Sequence, residues 1–243
     1  MGLPKITAMP QSLFALILLS AVLVAAAPAM AARPFMTDDA RLTTEGSCQL
    51  ESWTRHYSDR NEFWALPACN PGGNFEITAG VGRFRSDGQP GSQDQVLQGK
   101  TLFRTLQTND WAWGLAVGRV WHPSTQPGPN NLGGTYLYLP LSVSTLDDRM
   151  VFHANLGWTR DRHTRLQATT WGAGVEYWIH PRTMVIAETF GDDRQKPFVQ
   201  TGVRFSVVPG LFQIDATRGT QPSSQGRNTW TSLGIRYTPD KLF

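Results

Sequence analysis

Charged side chains stand at alternate positions in several runs of the sequence that also alternate between apolar and polar residues. The members of this set are Lys100, Arg104, His153, Glu176, Glu188, Arg204, Asp215 and Arg236. Because alternate residues of a β-strand point to the same side of a sheet, these side chains are expected opposite the aliphatic residues of their strands. Gathered in one interior, they would form either a permeation path or small-ligand site, or an ion-pair network that stabilises the interior.

The turns between strands predict two pairs within this set. A two-residue turn at Pro209-Gly210 places Arg204 opposite Asp215, as an ion pair across neighbouring strands. The short connection after Glu176 places that residue opposite Glu188. Two facing carboxylates cannot both ionise freely without a cation between them, so we expect an arginine from a nearby strand in that layer.

Residues for catalysis or metal binding are sparse. His153 and Asn155 share a face, but no serine has a spacing that completes a nucleophilic set, and Ser142 and Ser144 are near only as residues of the preceding hairpin strand. There is no nucleophile elbow, zinc-protease motif, phosphate loop or dinucleotide-binding motif, and the acidic doublets lack calcium-loop spacing. We therefore predict no enzyme activity, no catalytic residue, no metal site and no cofactor.

The N-terminus has the features of a secretory signal. A basic residue precedes an apolar stretch over 13–27, and the small-residue motif Ala29-Met30-Ala31 follows it. The apolar stretch has about 15 residues, fewer than the roughly 20 that a spanning helix needs. Residues 1–31 are therefore predicted to be a signal peptide that is cleaved near Ala31/Ala32, with a membrane anchor as the alternative.

Export to an oxidising compartment permits a disulfide, and the chain has two cysteines. If Ser58-Asp59 forms a two-residue hairpin turn, Cys48 lies opposite Cys69. The same register forms an aromatic pair and an ion pair: Trp53 with Trp64, and Arg55 with Glu62. The sequence therefore predicts the disulfide Cys48–Cys69, with two free thiols as the alternative.

The rest of the chain consists of runs of about ten alternating residues separated by turns, which indicates β-strands. The alternation predicts about twelve strands, with ten as the alternative, over 48–57, 60–69, 74–84, 96–105, 111–121, 135–144, 150–159, 167–178, 183–190, 198–206, 211–218 and 229–238. Only 17% of the 243 residues are charged, against about a quarter in average proteins. With abundant aromatic residues, this composition excludes a disordered chain. The basic residues are dispersed, so no nucleic-acid partner is expected.

Two architectures fit such strands: a soluble barrel or sandwich with the aliphatic face inward, or a transmembrane barrel with that face outward in lipid. Three features favour the transmembrane barrel. Short connections alternate with longer ones, as between the periplasmic and extracellular ends of outer-membrane barrels. Outward aromatic residues cluster at strand ends beside the short turns, as in an interfacial girdle: Phe103, Trp111, Phe152, Tyr177, Phe205, Phe212 and Tyr237. The terminal Phe243 resembles, loosely, the recognition signal of bacterial outer-membrane proteins.

The motif Arg33-Pro34-Phe35-Met36-Thr37-Asp38-Asp39-Ala40, followed by a Cys-Gln-Leu-Glu strand, resembles a group of proteobacterial outer-membrane proteins. The segments 187–191 and 200–205, with an inward Asp215, are more distantly similar to the barrel family associated with the meta-pathway of phenol degradation. That resemblance implies a transport-type barrel for aromatic or other small molecules and carries over no catalytic residue. The disulfide hairpin departs from the distant family.

The resulting hypothesis is an all-β, transmembrane antiparallel β-barrel of the outer-membrane type. Residues 1–31 form the signal peptide, 32–47 a periplasmic N-terminal segment that enters the lumen, and 48–243 the barrel. The expected function is a channel or transporter for small, including aromatic, solutes through a narrow charged lumen. The alternatives are a structural or loop-mediated barrel with a sealed lumen, a lipid-modifying barrel enzyme and a soluble exported barrel. Expected partners are outer-membrane lipid, a small solute and, during biogenesis, the barrel-assembly machinery.

Overall fold

In a computed structural model, twelve antiparallel strands close into one barrel. The structure describes residues 35–86, 88–121, 134–162, 164–222 and 228–243. The strands are β1 (Ser47–Tyr57), β2 (Arg60–Asn70), β3 (Glu76–Ser86), β4 (Ser92–Arg104), β5 (Trp111–Trp121), β6 (Thr135–Thr145), β7 (Met150–Arg160), β8 (Gln167–His180), β9 (Thr183–Asp192), β10 (Phe198–Val208), β11 (Phe212–Thr220) and β12 (Thr229–Tyr237). Each strand pairs with its neighbours in the sequence, and β12 pairs with β1. The described part of the chain contains no helix long and apolar enough to cross a membrane.

The outer surface of the barrel is apolar, as the alternation predicts. Leucines on separate strands, Leu156 and Leu233, keep more than half of their surface exposed there. Aromatic residues beside the short turns also face outward, among them Phe103 and Tyr237. An apolar exterior with aromatic residues near its rim is the arrangement of a barrel that lipid surrounds. The prediction of a closed twelve-stranded barrel is therefore confirmed, and the alternative of ten strands is wrong.

Two predicted registers agree with the structure. Cys48 pairs with Cys69 across the first hairpin, and a disulfide joins them. Arg204 pairs with Asp215 between β10 and β11. In the first hairpin the length of the turn fixes which residues face each other. In the second, an irregularity lies between Ser206 and Val208 next to the turn, and Arg204 still meets Asp215.

The predicted pairing of Glu176 with Glu188 is wrong. Glu176 lies opposite Ile186, and Glu188 lies opposite Gly174. The cause is an irregularity in β8 between Trp178 and His180, which shifts the register next to the turn.

Glycines on the inner face allow large rings to lie flat against the wall. A Cβ added at Gly82, Gly118 or Gly219 would stand within 2.7 Å of a neighbouring ring, those of Trp64, Tyr136 and Trp230 respectively. Because these contacts are with ring carbons, a methyl group there would displace the ring. The aromatic residues therefore line the interior without filling it.

Candidate functional site

The described part of the N-terminal segment lies inside the barrel. We call residues 35–45 the plug segment. Its first residues, Phe35 and Met36, lie near mid-height, and it leaves through the barrel end that carries the short turns, where Gly46 hydrogen-bonds Asn70. Phe35 is buried against Met184 and Ile186 of the barrel wall, and its ring meets the His153 ring edge-on. The prediction that this segment enters the lumen agrees with this placement.

Side chains of the wall bind the backbone of the plug segment. The carboxylate of Glu188 on β9 accepts hydrogen bonds from the N–H groups of Met36 and Thr37 at 2.9 to 3.0 Å. Further along, three wall side chains each accept one plug N–H: Asn155 at 2.6 Å, Ser142 at 2.8 Å and Glu76 at 2.7 Å. A non-helical segment has no internal partners for its N–H groups, so these bonds replace the water that it loses on burial.

Ion pairs add to this docking. The Lys100 ammonium on β4 lies 2.9 Å from Asp38 and 3.5 Å from Asp39 of the plug segment. Burial raises the pKa of the Asp39 carboxyl, and the nearby Lys100 and Arg41 charges act against that increase. The plug segment is thus held by backbone and charge contacts to at least five strands.

A polar network fills the barrel beside the plug segment, towards the short turns. The Glu176 carboxylate accepts a hydrogen bond from the Arg204 guanidinium at 3.1 Å and another from the Arg41 guanidinium of the plug segment at 3.3 Å. An arginine from a nearby strand does neutralise this carboxylate, as expected, although its predicted partner Glu188 is engaged by the plug instead. Arg204, Glu176 and His153 are each at most 2% exposed, so little water reaches this layer.

Within this network a serine contacts a histidine, and the histidine contacts a carboxylate. This arrangement was not predicted from the sequence. Ser142 lies directly across from His153, with its Oγ 2.9 Å from Nδ1, and His153 Nε2 is 3.5 Å from Glu176. The Oγ atom also accepts the N–H of Ala40, and Ser142 has no exposed surface. In this arrangement the serine holds the plug segment and offers no open side to a substrate. The register of the β6–β7 hairpin places Ser142 opposite His153, so the sequence did contain the information needed to predict this contact.

Arg104 is not in the lumen, contrary to the prediction. An irregularity between Leu102 and Arg104 breaks the alternation at the end of β4. The Arg104 side chain is 44% exposed; its guanidinium binds Asp110 at 2.7 Å and lies 4.6 Å from the ring of Trp111. Hydrogen bonds from Arg104 lower the pKa of the Asp110 carboxyl. Both residues stabilise the β4–β5 turn.

The remaining predicted residues face inward, in different layers. Lys100, His153, Glu176 and Glu188 contact the plug segment or its immediate supports. Arg204, Asp215 and Arg236 lie in the wall, where the Arg236 guanidinium donates to Gln49 at 3.0 Å. In the described residues, no cluster of three or more His, Cys, Asp or Glu residues could hold a metal ion.

A cavity of about 210 Å³ lies inside the barrel against the plug segment, and its lining runs from Asp192 near the longer loops to Glu76 near the short turns. Aromatic pairs form much of its wall: Trp53 with Trp64, Tyr136 with Tyr138, and Phe190 with Phe198. Phe35 and Met36 of the plug segment contribute to the same cavity. Lys100 is the predicted lumen residue that lines this cavity, and the pair of Trp53 with Trp64 was predicted as well, whereas the other aromatic pairs were not.

A family model described as "Uncharacterised conserved protein UCP029691" matches residues 18–238. The chain belongs to that family. No curated protein sequence matches it. The more distant resemblance to the phenol meta-pathway family stays a prediction.

Several solved structures share the fold. The chain is similar to the KdgM porin, with a TM-score of 0.60 and 9% identity, over 79% of this chain and 99% of that one. It is similar to the NanC porin, with a TM-score of 0.53 and 11% identity, over 79% and 98%. It is also similar to the COG4313 outer membrane channel from Pseudomonas putida F1, with a TM-score of 0.50 and 12% identity, over 82% and 97%. At these identities the likeness concerns the fold, which is that of outer-membrane channels.

Proposed function

We propose that this family member is an outer-membrane channel or transporter for small, including aromatic, solutes, and that the plug segment closes it from the short-turn side. The observation that carries the proposal is a ring-lined cavity inside the barrel that ends at the plug segment. The contacts between the plug segment and the barrel wall are hydrogen bonds, ion pairs and packing, with no covalent cross-link among the described residues. A segment of this kind can leave without any change in the barrel strands. One relative by fold is described as a porin in complex with oligogalacturonate, which supports solute passage through such barrels.

An engineered disulfide tests this proposal directly. A Cβ added at Gly172 would stand 3.2 Å from the Cβ of Thr37, near the separation of about 3.5–4.5 Å that a disulfide requires. The double variant Thr37→Cys, Gly172→Cys therefore locks the plug segment in place when oxidised. Planar-bilayer conductance should be absent in the oxidised variant and return on reduction.

The matched controls are the two single variants and the unaltered chain under the same reductant. The unaltered chain controls for reduction of the native disulfide between Cys48 and Cys69. Equal conductance of the oxidised and reduced double variant would contradict gating by the plug segment. No conductance from any form, with any solute, would contradict the channel itself.

A barrel with a sealed lumen is the second candidate function. The observation in its favour is the network around Glu176, which is buried and shares Arg41 with the plug segment. In that case loops of the barrel would contact a partner, and the locked double variant would keep full function in the cell. A lipid-modifying enzyme is less well supported, because His153 and Ser142 face inward whereas outer-leaflet lipid lies outside the wall.

A further inference from the structure

We propose that the ring-lined cavity binds a neutral ring that carries adjacent hydroxyl groups, and that Arg55 and Glu62 recognise those hydroxyls. This inference rests on the proposed function, because it names the class of solute for the same interior. It is carried by a pair of buried charged groups that the protein leaves incompletely hydrogen-bonded at the cavity wall.

Arg55 and Glu62 face each other across the first hairpin, and both line the cavity. Their exposed fractions are 7% and 4%. Their nearest charged atoms, Arg55 Nη1 and Glu62 Oε2, are 3.8 Å apart, which is too long for a hydrogen bond. Arg55 Nε and Glu62 Oε1 have no hydrogen-bond partner among the described residues. Glu62 has a second ion-pair partner in Arg60, also at 3.8 Å, and its carboxylate interacts with the Tyr57 hydroxyl. Among the described residues, the acceptor of the Arg55 guanidinium is the thioether of Met36.

A hydroxyl group meets both needs at once. A hydroxyl oxygen to the side of the pair, about 2.8 Å from both side chains, accepts from Arg55 and donates to Glu62. The guanidinium presents Nε–H and Nη–H side by side, so it favours two neighbouring oxygens. Adjacent hydroxyls on one ring supply that pair.

The charges of the wall argue against ionic ligands. The residues that line the cavity include five carboxylates and three cations: Asp38, Glu51, Glu62, Glu76 and Asp192, against Arg41, Arg55 and Lys100. This excess of negative charge would repel an anionic solute. A simple organic cation has no acceptor for the hydrogen bonds that Arg55 can donate, so those donors would stay without partners. A neutral solute with hydroxyls incurs neither cost.

The rings and the size of the cavity define the rest of the ligand. Trp53 and Trp64 lie nearly parallel, with centroids 5.8 Å apart, beside the guanidinium of Arg55. Such faces stack on a flat ring or on the C–H face of a saturated one. A cavity of about 150 Å³ admits benzene, so about 210 Å³ suits a single ring with its hydroxyls.

Isothermal titration calorimetry on the full mature chain, in a detergent without a sugar headgroup, tests this inference. The probes are D-glucose and myo-inositol as saturated rings, catechol as an aromatic ring, benzoate as an anion and choline as a cation. We expect at least one hydroxylated neutral ring to bind, and benzoate and choline not to bind. Which hydroxylated ring binds distinguishes a sugar-like from a phenolic source.

Two variants locate the site. Glu62→Gln removes the charge, and Arg55→Lys keeps the charge but removes the paired donors; each should weaken binding about ten- to a hundredfold, the effect of one charge-assisted hydrogen bond. Asp110→Asn, in the outer β4–β5 turn, is the control and should bind as the unaltered chain does. Heat-modifiable gel mobility checks that each variant is folded.

Tighter binding of benzoate or choline, no binding by any hydroxylated ring, or unchanged binding by both folded variants would overturn the inference. Because the titration measures binding without flux, its result is independent of the conductance test. Binding in a barrel that never conducts would contradict only the channel, and conductance without such binding would contradict only the ligand class.

Discussion

Loss of the Glu188 carboxylate should release the plug segment. In Glu188→Ala, the N–H groups of Met36 and Thr37 lose their acceptor, as does the side-chain amide of Gln200 at 2.9 Å. A hydrogen bond to a charged group contributes about 1.5–3 kcal/mol. Two such bonds give an upper limit of about 6 kcal/mol, and rehydration of the freed N–H groups in the lumen reduces it. We expect about 2–4 kcal/mol, since the plug segment keeps its other contacts.

That free energy corresponds to a shift of roughly 30- to 1,000-fold in the ratio of docked to released plug segment. Maleimide labelling of a Thr37→Cys reporter measures it, because the two native cysteines form a disulfide and leave no other thiol. The labelling rate should rise by that factor in the Glu188→Ala background. Glu62→Gln is the matched control, since it changes an equally buried inward carboxylate whose described ion-pair partners lie in the barrel wall. An unchanged rate in Glu188→Ala, or an equal rise in the control, would refute the reasoning.

Three further predictions concern the barrel. Arg204→Ala leaves Glu176 buried with one fewer cation and should lower the free energy of unfolding by about 3 kcal/mol, measured by urea titration, whereas a loss below about 1 kcal/mol would contradict a stabilising network. Gly219→Ala places a methyl group 2.1 Å from the Trp230 ring and should cost about 1–3 kcal/mol in the same titration, while Gly72→Ala, with open space around it, should cost less than about 1 kcal/mol. Arg104→Gln should leave single-channel conductance unchanged because this residue lies outside the lumen, and an altered conductance would place it in the solute path.

The alternation of apolar and polar residues was enough to predict the barrel, because its period of two directly sets which side chains meet lipid. Registers such as that of Cys48 and Cys69 followed from the length of a turn. The same reasoning failed beside Trp178 and before Arg104, where an irregularity changes the register. Such irregularities lie at strand ends, where the sequence pattern is too short to reveal them.

The binding of the plug segment was beyond detailed prediction for a different reason. Residues 35–45 have no regular secondary structure, so no periodicity shows which of their groups face the wall. Their partners come from strands that are far apart in the sequence, as with Met36 and Glu188. Only the closed barrel brings these residues together.

The anchor of the plug segment lies at one fixed point of the rim. Gly46 hydrogen-bonds Asn70, accepts hydrogen bonds from Leu242 and Phe243, and stands two residues before the disulfide of Cys48. Because the plug segment is attached to the rim by a short stretch of chain, it rebinds with an effective concentration in the millimolar range. This effective concentration does not depend on the concentration of the protein. A free peptide with the sequence of residues 35–45 would therefore need roughly millimolar concentrations to compete, and each barrel would close again on its own after a solute has passed.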